Sequence, residues 1–169
     1  MLLFGYAQGW RPHLAQRLTL LRDRRTSTTF EPSTQTEKPP FPHAVPVLVD
    51  TSVLIDLLRG NPAARDYLRG LAEVPIASEV TRVEILRGLR AAERDATERL
   101  FDAVRWAGLD EVIARRAGEL GRRWDRHRPG IALADLIIAA TAEHMGADLA
   151  TTNVRHFPMF PALAPPYRT

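Results

Sequence analysis

An α/β architecture, with a central parallel sheet of about four to five strands and helices on both faces, follows from three features of the sequence. Short apolar runs near 45–49, 74–77, 104–107 and 148–151 alternate with segments of helical periodicity. The first run, Val45–Val49, is β-branched and apolar except for Pro46, as a strand covered on both faces requires. Residues that start or stop helices fall at the joints between these segments.

Taken in order, Asp50-Thr51-Ser52 offers capping side chains ahead of a helix over 53–59. Gly60-Asn61-Pro62 stops that helix and starts the next, over about 63–71. Val74–Ala77 reads as the second strand, and Ser78 as the cap of a helix over 79–90 with Glu79 placed for its dipole. A helix over 93–103 leads to a strand at 104–107. Residues 110–127 form a charged amphipathic helix closed by Pro129-Gly130, and Ile131–Met145 an apolar helix ended by Gly146. Asp148–Thr151 is the last strand, and the Pro-rich end is irregular.

Residues 1–45 have a different character. Residues 1–46 hold six of the 13 prolines, and Thr26–Pro46 is too rich in Thr, Ser and Pro to bury much apolar surface. The segment reads as a disordered extension, with a short basic helix at 14–25, or as residues upstream of the true start; the folded domain is expected over 46–169.

The net charge is +3, but residues 1–46 carry six basic side chains against three acidic ones, leaving 17 of each sign elsewhere. Net charge is thus weak support for nucleic-acid binding. The absence of cysteine excludes disulfides and thiolate metal sites and fits a reducing cytoplasm, so a bound metal must take oxygen or imidazole ligands. No apolar run is long enough to span a membrane.

Asp135 stands out. At helical spacing its neighbours are Ile131, Ala132, Ile138, Ala139 and Ala142, so a carboxylate emerges from an apolar stripe and needs a cation, strong hydrogen bonds or a proton. Asp50 closes the first strand, where an α/β sheet opens its ligand crevice, although a helix cap is an equal reading of that residue alone. Glu84 lies between Thr81 and Gly88, with room above the carboxylate; judged alone it pairs with Arg87. Asn153, after the fourth strand, suits a turn and shares the rim with Asp50. Together these residues could converge at one sheet edge, where clustered carboxylates repel unless a hard dication is present. Such a site activates water for displacement at phosphorus.

Four motifs in chain order carry a resemblance: Val47-Leu48-Val49-Asp50-Thr51-Ser52-Val53-Leu54-Ile55-Asp56, Ser78-Glu79-Val80-Thr81-Arg82-Val83-Glu84-Ile85-Leu86-Arg87-Gly88, Ala134-Asp135-Leu136-Ile137-Ile138-Ala139-Ala140, and Ala150-Thr151-Thr152-Asn153-Val154-Arg155-His156-Phe157. From Pro46 to about Phe160 the chain resembles PIN-domain nucleases, specifically the VapC-type toxins of bacterial type II toxin–antitoxin pairs. The resemblance implies a PIN-like fold and a Mg²⁺- or Mn²⁺-dependent endoribonuclease. It places metal-binding acids at Asp50, Glu84 and Asp135 and a fourth site residue at Asn153, where the family has Asp or Asn. It implies 5′-phosphate and 3′-hydroxyl products, a homodimer, and a cognate VapB-type antitoxin that inserts a peptide into the acidic groove. Thr51, Thr151, Arg82 and Arg87 are candidates for substrate contact, and His156 for packing or substrate contact. Asp148, at the far end of its strand, is a weak substitute for a fourth acid. Arg122, Arg123, Arg126 and Arg128 form a second basic cluster, whose default role is a solvated helix face.

Two other functions remain open at this point. One is a non-catalytic PIN-like module that binds RNA or protein, which the amide at Asn153 keeps alive. The other is a receiver-type phosphoacceptor using Asp50, against which stands the lack of any lysine other than Lys38.

Overall fold

The computed structural model describes residues 45–124 and 130–168. The expectations for residues 1–44, and for Arg126 and Arg128, lie outside these residues. Four strands, β1 (Val47–Val49), β2 (Ile76–Ser78), β3 (Arg105–Ala107) and β4 (Asp148–Ala150), form one sheet in the order β3-β2-β1-β4. All pairings are parallel, with Leu48 opposite both Ile76 and Leu149, and Ala77 opposite Trp106.

Helices fill the crossovers. Helices α1 (Thr51–Leu58) and α2 (Pro62–Gly70) join β1 to β2, and α3 (Glu79–Gly88) and α4 (Arg94–Phe101) join β2 to β3. Helices α5 (Glu111–Trp124) and α6 (Leu133–Met145) lead to β4. Because strand side chains alternate between faces, the register sorts the core into two layers. Leu48, Ile76 and Leu149 pack with Ile113, Leu120 and Ile138 of α5 and α6 on one face. Val49, Ala77 and Ala150 pack with Val53, Leu68, Ile85 and Leu100 of α1 to α4 on the other.

Local chemistry sets most of the joints. Asn61 accepts from the amides of Ala63 (2.9 Å) and Ala64 (3.4 Å), capping α2. Gly60 turns with φ +84° and Gly146 ends α6 with φ +58°, a region costly for residues with a Cβ. Most expected bounds shift by one or two residues, and two local features differ from expectation. Ser78 holds the N-cap position of α3 without a side-chain capping bond. Helix α6 begins at Leu133, not Ile131, because Ala132 is extended (φ −66°, ψ 147°), so Asp135 lies in the first turn and not mid-helix. Among the described residues no helix is long and apolar enough to cross a membrane.

The strand order fixes where a ligand would sit. From β1 the chain steps outward to β2 and β3, then returns to the opposite side of β1 for β4. The switch point lies between the carboxyl ends of β1 and β4, and there such sheets open a crevice.

Candidate active site

Asp50 leaves the carboxyl end of β1 and is 4% exposed. Its Oδ2 takes three donors: Ser52 Oγ at 2.7 Å, Thr151 Oγ1 at 2.7 Å and the Ser52 amide at 3.4 Å. The capping role and the rim position predicted for Asp50 therefore coexist. With these bonds on one oxygen, Oδ1 is the one left for a ligand. Thr151, fully buried, also accepts from the Asn153 amide at 2.9 Å, and Ser52 Oγ accepts from the Thr152 amide at 3.2 Å. The ends of β1 and β4 are thus sewn together by hydroxyls.

Glu84 rises from α3 and does not pair with Arg87. Thr51 Oγ1 donates to its Oε2 at 2.6 Å and lies 3.0 Å from Thr81 Oγ1. A hydroxyl has one proton. Since the carboxylate takes that of Thr51, the contact with buried Thr81 uses the proton of Thr81.

Asp135 in the first turn of α6 receives Nδ1 of His156 on its Oδ2 at 3.0 Å. The same Nδ1 lies 2.8 Å from Nδ2 of Asn153. The Asp135 carboxyl is held above the ordinary carboxylate range, first by burial and then by the negative charges of Asp50 and Glu84; His156 pulls it back down. Asp50 and Glu84, from two other elements, thus lie near enough for their charges to act on Asp135, with Asn153 and Thr151 on the β4 side.

Other expected residues stand elsewhere. Arg82 sits two residues from Glu84, on the opposite side of α3. Its guanidinium binds Glu79 at 2.7 Å and stacks on Trp106 (3.9 Å to the ring centroid) and Phe101 (4.7 Å). It supports packing against β3 and is not brought to the acids. Arg87 is exposed, one turn beyond Glu84, and Asp148 lies at the far end of β4. Sequence reasoning missed the bond of His156 to Asp135, although its place three residues after Asn153, on the rim, was a usable signal.

A half-buried aspartate whose proton affinity is raised by burial and two neighbouring acids, set among neutral hydroxyls and an amide, suits a hard dication. Among the described residues, however, no three Asp, Glu or His side chains are already drawn together to hold a metal between them. Glu84 is turned onto Thr51 and Asp135 onto His156. Mg²⁺ tolerates this, because it takes one or two carboxylates and keeps several waters.

The PIN domain model matches residues 47–160, a span that contains all four site residues. The chain is 50% identical over 123 residues to ribonuclease VapC19 of Mycobacterium tuberculosis, covering 71% of this chain and 98% of that protein. It is 48% identical over 123 residues to ribonuclease VapC10 of the same organism, covering 72% and 92%. Among solved structures, a toxin–antitoxin complex from Klebsiella pneumoniae superposes with a TM-score of 0.64 at 27% identity, covering 73% of this chain and 99% of that one. The chain belongs to the PIN-domain family, and within it to the VapC branch.

Proposed function

We propose that this protein is a metal-dependent endoribonuclease toxin that hydrolyses RNA phosphodiester bonds and is neutralised by a cognate VapB-type antitoxin. The observation that carries the reading is the set of acids Asp50, Glu84 and Asp135, contributed by β1, α3 and α6 and electrostatically coupled at the switch point of the sheet. Asp50 and Asp135 each have one oxygen engaged by protein donors, which leaves the other for Mg²⁺ or Mn²⁺. Glu84, held by Thr51, completes the negative field. A bound dication would supply an activated water and neutralise charge on the phosphate. The chain's own part is to fix the acids through the hydroxyls of Ser52, Thr51 and Thr151. Arg87, exposed one turn beyond Glu84, is the arginine we assign to contact with an RNA backbone.

The partner reading has its own support. Val83 and Leu86 on α3 and Leu133 at the start of α6 are exposed apolar side chains, with Val83 next to Glu84 and Leu133 two residues before Asp135. Apolar surface bordering an acidic site suits a peptide that brings both apolar contacts and a cation, as an antitoxin arginine would be. A homodimer is part of the same proposal.

The test is cleavage of an end-labelled RNA pool with Mg²⁺, with Mn²⁺ and with a chelator. Wild type should cut in either metal and leave 5′-phosphate ends, and Asp50→Asn should lose about 10²-fold or more. RNA left intact at saturating metal would favour the binding-module reading instead, and cutting that persists in chelator would remove the metal.

A further inference from the structure

His156 has no assigned part in the reading above, and its surroundings give it one. It ends a short 3₁₀ turn, Val154–His156, that begins directly after Asn153. The next residue, Phe157, is 1% exposed in the core layer formed with α5 and α6. Phe157 anchors the turn, so packing does not require the histidine. The imidazole instead turns to the site, its side chain 38% exposed, with Nδ1 at 3.0 Å from Asp135 Oδ2 and 2.8 Å from the Asn153 amide.

The chemistry of that contact is directional. An ionised carboxylate only accepts, so Nδ1 carries the proton and gives it to Asp135. A half-turn of the Asn153 amide exchanges its oxygen for its nitrogen, and the oxygen can then share that proton. Among the described residues, this is the hydrogen bond the Asp135 carboxylate receives. Asp50, by contrast, has three donors. A carboxylate with one donor can swing about its χ2 torsion once that donor is lost.

We infer that His156 is a positioning residue: through Nδ1 it holds Asp135 by one oxygen and ties it to Asn153, so that α6 and the end of β4 present their ligands to a metal as one unit. The inference rests on the metal-site reading of the acids. It adds a residue that touches neither metal nor substrate and acts through Asp135. Supporting bonds of this kind typically account for 10- to 100-fold in metal affinity.

The covalent connectivity of the side chains supplies the test. In Asn the amide nitrogen is bonded to Cγ, as Nδ1 is in His, whereas Gln places its nitrogen one bond further out, as Nε2 is. Calorimetric titration of the full chain with Mn²⁺ should therefore rank the variants. His156→Ala and His156→Gln should raise the Kd by about 10- to 100-fold, and His156→Asn should bring it back towards wild type. Thermal melts in chelator identify variants that fail to fold; if His156→Ala fails, the comparison of Asn with Gln decides. Asp50→Asn separates the two ideas. If wild type binds Mn²⁺ through Asp50 and His156→Ala binds equally well, the positioning role is wrong and the metal site stands. Equal weakening in Asn and Gln would overturn it as well, since the effect would not depend on Nδ1. If wild type binds no Mn²⁺ that Asp50→Asn abolishes, the metal reading fails and this inference with it.

Discussion

Replacing Thr151 by Val separates hydrogen bonding from burial at the centre of the site. The two side chains have nearly the same shape, and the change exchanges a hydroxyl for a methyl in a fully buried position. Burial alone predicts neutrality or a gain. The hydroxyl, however, donates to Asp50 Oδ2 at 2.7 Å and accepts from the Asn153 amide at 2.9 Å. A hydrogen bond to a charged acceptor contributes about 1.5–3 kcal/mol, and a buried amide left unpaired costs about 1–3 kcal/mol. The low end of each range applies, because Asp50 keeps both donors of Ser52 and water can reach half-buried Asn153. The sum is about 2.5–3 kcal/mol, or a fall of roughly 10 °C in melting temperature for a domain of this size.

Thr151→Ser is the control. It keeps both hydrogen bonds and gives up one methyl, worth about 0.8 kcal/mol of burial plus a small cavity. Thermal unfolding followed by circular dichroism in chelator should therefore order the melting temperatures as wild type, Ser, Val. A Val variant within about 2 °C of wild type, or above Ser, would refute the claim that these hydroxyls hold the acids in place.

Three other expectations follow from the site. Asp135→Asn should be at least as stable as wild type in chelator at neutral pH and should lose the roughly 2.7 kcal/mol that wild type gains from metal at 100 times its Kd; melts with and without Mn²⁺ measure both. Because burial and the neighbouring acids raise the Asp135 pKa in the fold, the folded state binds more protons there than the unfolded state. Metal-free wild type should accordingly lose stability relative to Asp135→Asn as pH rises from the ordinary Asp range through the raised folded value, and the gap should then stay constant; a gap that closes towards neutral pH would contradict the assignment. Asn153→Ala should reduce RNA cleavage by about 10-fold, less than the 10²-fold or more expected of a principal charge, and Asn153→Asp should tighten metal binding; an Ala variant as inactive as Asp50→Ala at every metal concentration would contradict that secondary role.

Much of the scaffold was legible because its determinants are local. The apolar run ending at Asp50, the Gly60-Asn61-Pro62 joint and Gly146 each act through their own backbone or side chain, and each lies where the sequence puts it. Features that depend on tertiary contacts were not legible. Periodicity reports which face of a segment is buried and not its backbone conformation. The apolar pattern therefore ran on through Ile131 and Ala132, while the helix starts at Leu133 without a capping side chain. Arg82 carries a phosphate-binding group, but Trp106 and Phe101 from more distant parts of the chain give it a stacking platform, and Glu79 takes its charge. His156 contacts an aspartate 21 residues earlier, a proximity that the packing of α6 along β4 creates.

The hydrogen bonds also account for how three carboxylates share one site. Asp50 is tied through Thr151 to the Asn153 amide, Asn153 to His156, and His156 to Asp135, while Thr51, next in sequence to Asp50, holds Glu84. Each carboxylate thus has a donor of its own. At Asp135, which like Glu84 has one side-chain donor, burial first and then the charges of Asp50 and Glu84 raise the pKa. That is the tension a dication would relieve. A carboxylate at position 153 would compete with Asp135 for the single proton on Nδ1 of His156 and add a fourth negative charge. The amide adds no charge and is a weaker acceptor than a carboxylate. An amide at position 153 thus spares the site the added repulsion of a fourth acid.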